Sequence, residues 1–304
     1  DRITVYPVKS LDGVDLDEAS VLAGGGLEHD RRWRLVDLDG RVMNAKRSPI
    51  FHALRADFDL ADRGVRLRVD PAALQAHALP ASDLERLGGL DDDSFALVPG
   101  QGGPCGWLSE AFGRQLLLEE RLEGGFPDDR DAPGPTCIST ATLVEVGRWF
   151  GFDPTESRRR FRANLEFGGC EAFWEDALAS PAVPRRLSSL QDIPPDFPAD
   201  PYADLPPPEP VPFSIGDVCF VATNVCRRCV TPTRDSRSGT AREHFRDAFE
   251  ARRIRGLRAD VDATSWGHFY RLGVNTRVVT TIPSCLVGAR LTVRSSITAA
   301  GAAR

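Results

Sequence analysis

Short β-branched and alternating runs, separated by Gly and Asp clusters, constrain this chain more than any other feature. ITVYPV (3–8), RRWRLVDL (31–38), VRLRV (65–69) and SFALV (94–98) read as strands, with breaks at 24–26 and 91–93. Closely spaced short strands of this kind fit a barrel or sandwich. Trp107, Leu108, Phe112 and Leu116 space like one face of a helix over 106–117. The Pro- and Asp-dense stretch 127–135 marks an exposed loop and a domain boundary. Beyond it, 139–151 reads as a helix with Ser139 as N-cap and an apolar face of Leu143, Val144, Val146 and Phe150. Asp153 and Pro154 signal another helix start, followed by a basic turn and a strand up to 167.

Eleven of the 23 prolines fall in 181–212, which excludes a helix or a central strand there, because each Pro lacks an amide donor. That stretch is expected to be an extended surface insertion. A strand pair over 212–223 with a tight turn at Gly216–Asp217, an amphipathic helix over 240–253, and closing strands at 277–281 and 289–293 complete the pattern. The fold class is α+β and β-rich. Two domains are expected for 304 residues: a barrel-like domain over 1–126, then a second β-barrel with peripheral helices over 127–304.

With 38 basic and 44 acidic residues the net charge is −6, so no whole-protein footprint for nucleic acid exists, and any anion site must be local. No run of about 18 apolar residues is present, so no membrane span is expected. Seven cysteines, an odd number in a chain this long, read as free thiols in a reducing compartment. The opening DRITVYPVKS is neither a signal nor a transit peptide, and a cytoplasmic location is expected.

Cys226-Arg227-Arg228-Cys229 is the sharpest local feature. A structural zinc site wants two such pairs, and no second C-x-x-C exists. A thioredoxin-like pair belongs at a helix N-terminus, whereas this motif follows a strand and precedes Val-Thr-Pro-Thr. A buried, inert thiol is the common state of a lone Cys. Two arginines beside Cys229 favour instead an anionic sulfur by Coulomb attraction, and a soft metal centre needs such a sulfur. Arg158, Arg159, Arg160 and Arg162, followed by Asn164, form a second basic cluster. It is either a solvated helix end or a set of bidentate donors for phosphate. Lys9-Ser10 and Asp30-Arg31-Arg32-Trp33 flank strands and are unremarkable alone. Ser139-Thr140 read first as a helix cap, although the same groups can bind an oxyanion.

Taken in order, V-Y-P-V-K-S-L-D-G-V, D-R-R-W-R-L-V, C-I-S-T-A-T-L, F-R-A-N-L-E-F-G-G-C-E-A-F-W-E-D, F-S-I-G-D-V and C-R-R-C-V-T-P-T resemble a MOSC-domain protein with its N-terminal β-barrel companion. The kinship is to the mitochondrial amidoxime-reducing components and their bacterial counterparts, over nearly the whole chain. The resemblance implies molybdenum cofactor, a pterin dithiolene with a phosphate tail, in a cleft between two β-rich domains. It implies that Cys229 ligates molybdenum, with Lys9, Ser10, Arg31, Ser139, Thr140, Arg162, Asn164 and Arg228 around the cofactor. Asp235, in the D-x-x-x-G stretch ending at Gly239, is a candidate polar group behind the metal, and Cys226 is expected to be structural. The Pro-rich insertion is longer than in the mitochondrial relatives, and Ala289 replaces the usual Asp after Gly288.

The activity so implied is an oxidoreductase that reduces small N-hydroxylated compounds by oxygen-atom transfer to molybdenum held by Cys229. Electrons are expected from a separate iron–sulfur or haem protein with a flavin reductase, since the plant-type C-x₄-C-x₂-C spacing is missing. Two alternatives remain: a sulfur carrier using a Cys229 persulfide, and a carrier of the cofactor for another enzyme. Pyridoxal phosphate is not expected.

Overall fold

The computed structural model describes residues 1–180, 212–279, 290–292 and 297–299. Most of the Pro-rich stretch and much of the expected closing strands therefore lie outside the described residues. Along the chain run β1 (Arg2–Val5), β2 (Val14–Leu16), β3 (Glu18–Ser20), β4 (Trp33–Asp37) and β5 (Val42–Met43). Then come α1 (Ile50–Ala53), β6 (Leu54–Asp59), β7 (Gly64–Val69), α2 (Pro71–Ala76), α3 (Ala81–Gly88), β8 (Asp93–Ala96), α4 (Cys105–Phe112) and β9 (Leu116–Glu120). The later part holds β10 (Cys137–Ser139), α5 (Thr140–Phe150), α6 (Pro154–Phe161), β11 (Leu165–Phe167), α7 (Asp176–Ala179), β12 (Pro212–Ile215) and β13 (Val218–Arg227). A 3₁₀ turn (Thr231–Thr233), α8 (Phe245–Arg255), β14 (Arg271–Val278), β15 (Arg290–Thr292) and β16 (Ile297–Ala299) follow.

The architecture is mixed α/β and strand-rich. Among the described residues there is an eight-stranded sheet ordered β16-β12-β13-β14-β10-β11-β1-β2, two three-stranded sheets, β5-β4-β9 and β6-β7-β8, and the pair β15-β3. None of these sheets closes on itself. The helix expected over 106–117 stops at Phe112, because Gly113 takes a left-handed conformation (φ 62°) that caps it. Leu116 and Leu117 then open β9 instead. Ser139 caps α5 as expected, accepting from the Thr142 amide at 3.0 Å. Asp153 caps α6, with Pro154 in its first turn. Cys219 is disulfide-bonded, which corrects the expectation of seven free thiols: an odd total leaves one thiol over but does not forbid a bond. Cys105, Cys137, Cys170, Cys226 and Cys229 are free. No helix among the described residues is long and apolar enough to cross a membrane.

Two large apolar cores matter for the site. One gathers Val8, Leu11, Trp33, Leu35, Leu67, Leu108 and Leu118 beneath the two three-stranded sheets. The other gathers Ile3, Val5, Leu165, Phe213, Phe220, Val225 and Val274 on the eight-stranded sheet. The first strand therefore belongs to the second core, and the chain crosses to the first core between Val5 and Val8. A third, aromatic cluster packs α5 and α8 around Phe150, Phe161, Phe245 and Phe249.

Beside that cluster Glu175 is wholly buried, with Thr142 Oγ1 donating to its Oε2 at 3.2 Å. The neighbouring Asp176 pairs with Arg253 at 2.5 Å, and among the described residues no cation pairs with Glu175. Burial, then the Asp176 charge, push the Glu175 carboxyl up from 4.5 to about 7. Between those two values the folded chain keeps a proton that the unfolded chain has lost. Stability from this group is thus full below about pH 4.5 and falls as pH rises toward 7, by at most about 1.4 kcal/mol per pH unit for one proton. Urea midpoints at pH 5, 6 and 7 are expected to fall in the wild type and to fall less steeply in Glu175→Gln. Equal slopes would refute the assignment.

Candidate functional site

Lys9 and Ser10 lie where the chain changes cores. The Lys9 amide donates to the Trp33 carbonyl at 2.8 Å, tying this crossing to β4. Ser10 is left-handed (φ 75°), and its hydroxyl oxygen accepts from the Ala45 amide at 3.1 Å. Arg31 is also left-handed (φ 48°), with its amide donating to the Tyr6 carbonyl at 2.8 Å. Arg162 is the left-handed C-cap of α6 (φ 50°). Non-Gly residues pay for this conformation, and they keep it where surrounding structure holds them to a purpose. Ser10, Arg31 and Arg162 are three of the eight non-Gly residues with positive φ among the described residues, and these three lie on one cleft.

Cys229 arrives there from the opposite side. The pairing of β13 with β14 slips at Ala222/Asn224 and again at Val225/Arg227, so the strand is bulged on its way to its last pair, Arg227 with Arg271. The Arg228 amide still reaches the Tyr270 carbonyl at 3.0 Å, and the 3₁₀ turn starts two residues after Cys229. The Thr231 amide points at the Cys229 sulfur at 3.4 Å, and the thiol is half-buried.

These segments enclose a cleft of about 1230 Å³ lined by Lys9, Ser10, Arg31, Arg162, Arg228 and Cys229 together. Among the described residues, sixteen Lys and Arg side chains line it against five Asp, on a chain whose net charge is −6. Local cation excess of this kind selects an anionic ligand. Tyr6 forms part of the floor: the Arg162 and Arg31 guanidinium centres lie 4.0 and 5.6 Å from its ring centroid. Burial raises the Tyr6 phenol to about 12, so it stays neutral. Burial draws Arg162 below its ordinary value. Burial pulls on Arg31 too, but Asp30 and Asp128 outweigh it and hold Arg31 above its ordinary value. His52, only 7% exposed, is pushed down to about 3 by burial and then by Arg234, Arg162, Arg55 and Arg160. It is a neutral imidazole in a basic wall.

Four expected site residues are not on the cleft wall. Ser139 is fully buried as the α5 cap, its hydroxyl 2.7 Å from that of Thr142. Thr140 faces a separate depression beside Cys170 and donates to Asp1 Oδ2 at 2.7 Å. Asn164 stands behind Arg31: its amide donates to Asp30 Oδ1 at 2.9 Å and to the Thr4 carbonyl at 3.0 Å, while its oxygen accepts from Arg31 at 3.4 Å. Asp235 closes its own loop, accepting from the Ser238 amide and hydroxyl, each at 2.9 Å. That loop is also gripped from both flanks, with Arg55 donating to the Ser236 carbonyl at 3.0 Å and Glu156 accepting from the Ser236 amide at 3.1 Å.

Arg228 reaches backward, donating to the Phe161 carbonyl, although its side chain still borders the cleft. Cys226 is buried, its thiol directed at Asn275 Oδ1 at 2.8 Å, and burial pushes it up to about 11 against the pull of Arg228. Tyr6, His52, Arg55 and Asp128, and Asp30 beyond its place beside Arg31, are cleft or support residues to which the sequence reading gave no role. Only Tyr6 and Asp30 carried a signal, lying inside V-Y-P-V-K-S and D-R-R-W.

Residues 1–113 match the family model for the MOSC N-terminal beta barrel domain. The chain is also similar to molybdenum cofactor sulfurase of Drosophila yakuba, 25% identical over 193 residues, and to that of Drosophila melanogaster, 26% identical over 201 residues. Each alignment covers 57% of this chain and 24% of the relative, so the chain spans about a quarter of the length of these relatives.

Proposed function

We propose that this chain, whose residues 1–113 match the MOSC N-terminal beta barrel domain, binds molybdenum cofactor in the cleft and reduces N-hydroxylated compounds there. The observation that carries the reading is the convergence of one half-buried thiol, Cys229, with Lys9, Ser10, Arg31 and Arg162 on a single cleft. The donor set fits the group. Among the described residues no cluster of three His, Cys, Asp or Glu can hold a metal, so a metal at Cys229 must bring most of its own ligands. A pterin dithiolene does so with two sulfurs, and its phosphate tail suits the cations.

When bound and reduced, the cofactor supplies the electron pair and the acceptor for the oxygen of an N–O bond. Overall, N–OH plus two electrons and two protons becomes N–H plus water, with the electrons drawn from a separate redox protein. The protein's own work is to hold and orient. Cys229 offers its sulfur, with the Thr231 amide directed at it. Lys9, Arg31 and Arg162 take the anionic tail, Tyr6 supports two of those cations from below, and Asn164 with Asp30 fixes Arg31. The His52 ring, neutral at any physiological pH, lines the wall without adding charge. The test is turnover of benzamidoxime with a reduced viologen dye by protein from a host that makes the cofactor. Metal-dependent amidine formation is expected; cofactor-loaded protein inert toward amidoximes, hydroxylamines and N-hydroxylated bases would refute the reductase reading.

The relatives' name favours a second reading, in which Cys229 carries sulfur as a persulfide. Basic surroundings suit that anion as well. Cyanide-labile sulfur on metal-free protein, lost in Cys229→Ala, is its signature.

A further inference from the structure

Asp128 bridges the two cations that the proposed function assigns to the phosphate tail. Its Oδ1 lies 2.8 Å from Lys9 Nζ and its Oδ2 3.4 Å from Arg31 Nε, one oxygen to each cation. The cations are built into the wall, with side chains only 17% and 12% exposed, whereas the Asp128 side chain is 54% exposed. Its loop is held from outside the pair. Gly125, at φ 57°, lets the chain pass so close that a Cβ there would meet the Asp30 carbonyl at 2.6 Å. On the other flank Asp129 accepts from Asn224 at 3.2 Å and from Asn275 at 3.3 Å. A carboxylate more exposed than either cation thus occupies both of them, one oxygen to each, as two oxygens of a phosphate would have to.

We propose that Asp128 is a built-in competitor for the anion seat of Lys9 and Arg31, which makes the seat selective for a phosphate dianion over monoanions. The inference rests on the proposed function for the location of that seat. A monoanion replacing Asp128 exchanges one carboxylate-strength pair for another and gains nothing. A phosphate brings nearly twice the charge and three acceptor oxygens. The surrounding cleft walls oppose ionisation of Asp128 although its side chain reaches solvent, yet Arg31 and Lys9 hold its carboxyl well below the usual carboxylate range, so the competitor is charged at every working pH.

The test is calorimetric titration of the full chain, made in a host lacking the cofactor, with inorganic phosphate and with acetate at constant ionic strength. Asp128→Asn and Asp128→Ser are expected to bind phosphate about tenfold more tightly than wild type and to acquire acetate binding. Asp131→Asn removes the same charge from the same loop without touching either cation, and is expected to stay within about twofold of wild type. Adding Lys9→Ala to Asp128→Asn should erase the gain. Unchanged phosphate affinity in both Asp128 variants, or an equal gain in Asp131→Asn, overturns the competitor while leaving the seat intact. Phosphate binding that is absent, or indifferent to Lys9→Ala, overturns the seat as well.

Discussion

Replacing Cys229 with Ala is expected to cost more than about 100-fold in reductase turnover and to strip the metal, while far-UV circular dichroism and the urea midpoint match those of cofactor-free wild type. Loss of a group that supports a metal ligand typically costs 10–100-fold, so loss of the ligand itself should exceed that. The fold should not notice, because the Cys229 sulfur is half-buried and its described partner is a single amide at 3.4 Å. Cys226→Ala is the contrast. That thiol is buried against Asn275 and belongs to the bulged part of β13, so its removal should lower stability and leave turnover within about tenfold. Full activity in Cys229→Ala would end the thiolate–metal reading, and equal losses in the two variants would end the division of labour between them.

The largest stability effect is expected at Asp176. Arg253 is 0% exposed and Asp176 1%, at 2.5 Å, and Arg253 also lies over the Phe173 ring at 4.2 Å. Removing one partner strands the other charge in an apolar setting. Asp176→Ala should therefore cost about 3–5 kcal/mol, read from denaturant midpoints. The pair itself is not expected to be strongly favourable, since desolvation offsets most of its attraction. Asp176→Leu with Arg253→Met should then recover most of the loss. A double variant as unstable as the single one would show that the pair stabilises the fold in its own right.

The parts of the site legible in the sequence were those tied to local geometry. Lys9-Ser10 follow the first strand, Arg162 ends a helix that Asp153 and Pro154 begin, and Cys229 sits in a short motif after β13. Their convergence is tertiary: it depends on the chain changing cores after Val5 and on two bulges in β13. Asp128 carried no signal, because one Asp in PDDRDAPGP looks like any other until Lys9 and Arg31 are seen on either side of it. Ser139 and Asn164 were expected around the cofactor from the family resemblance. In the fold Ser139 caps α5 and Asn164 hydrogen-bonds the Thr4 carbonyl and Asp30, roles that depend on contacts distant in sequence for Asn164. The overlong helix at 106–117 had the same cause: apolar spacing continued past Phe112, while Gly113 turned the chain into β9.

The most direct measurement is molybdenum and pterin content of the purified wild-type chain, expressed in a host that makes the cofactor. The account predicts close to one molybdenum and one pterin per chain, both released when Lys9, Arg31 and Arg162 are replaced together by Ala. Well-folded wild-type protein carrying neither would contradict it.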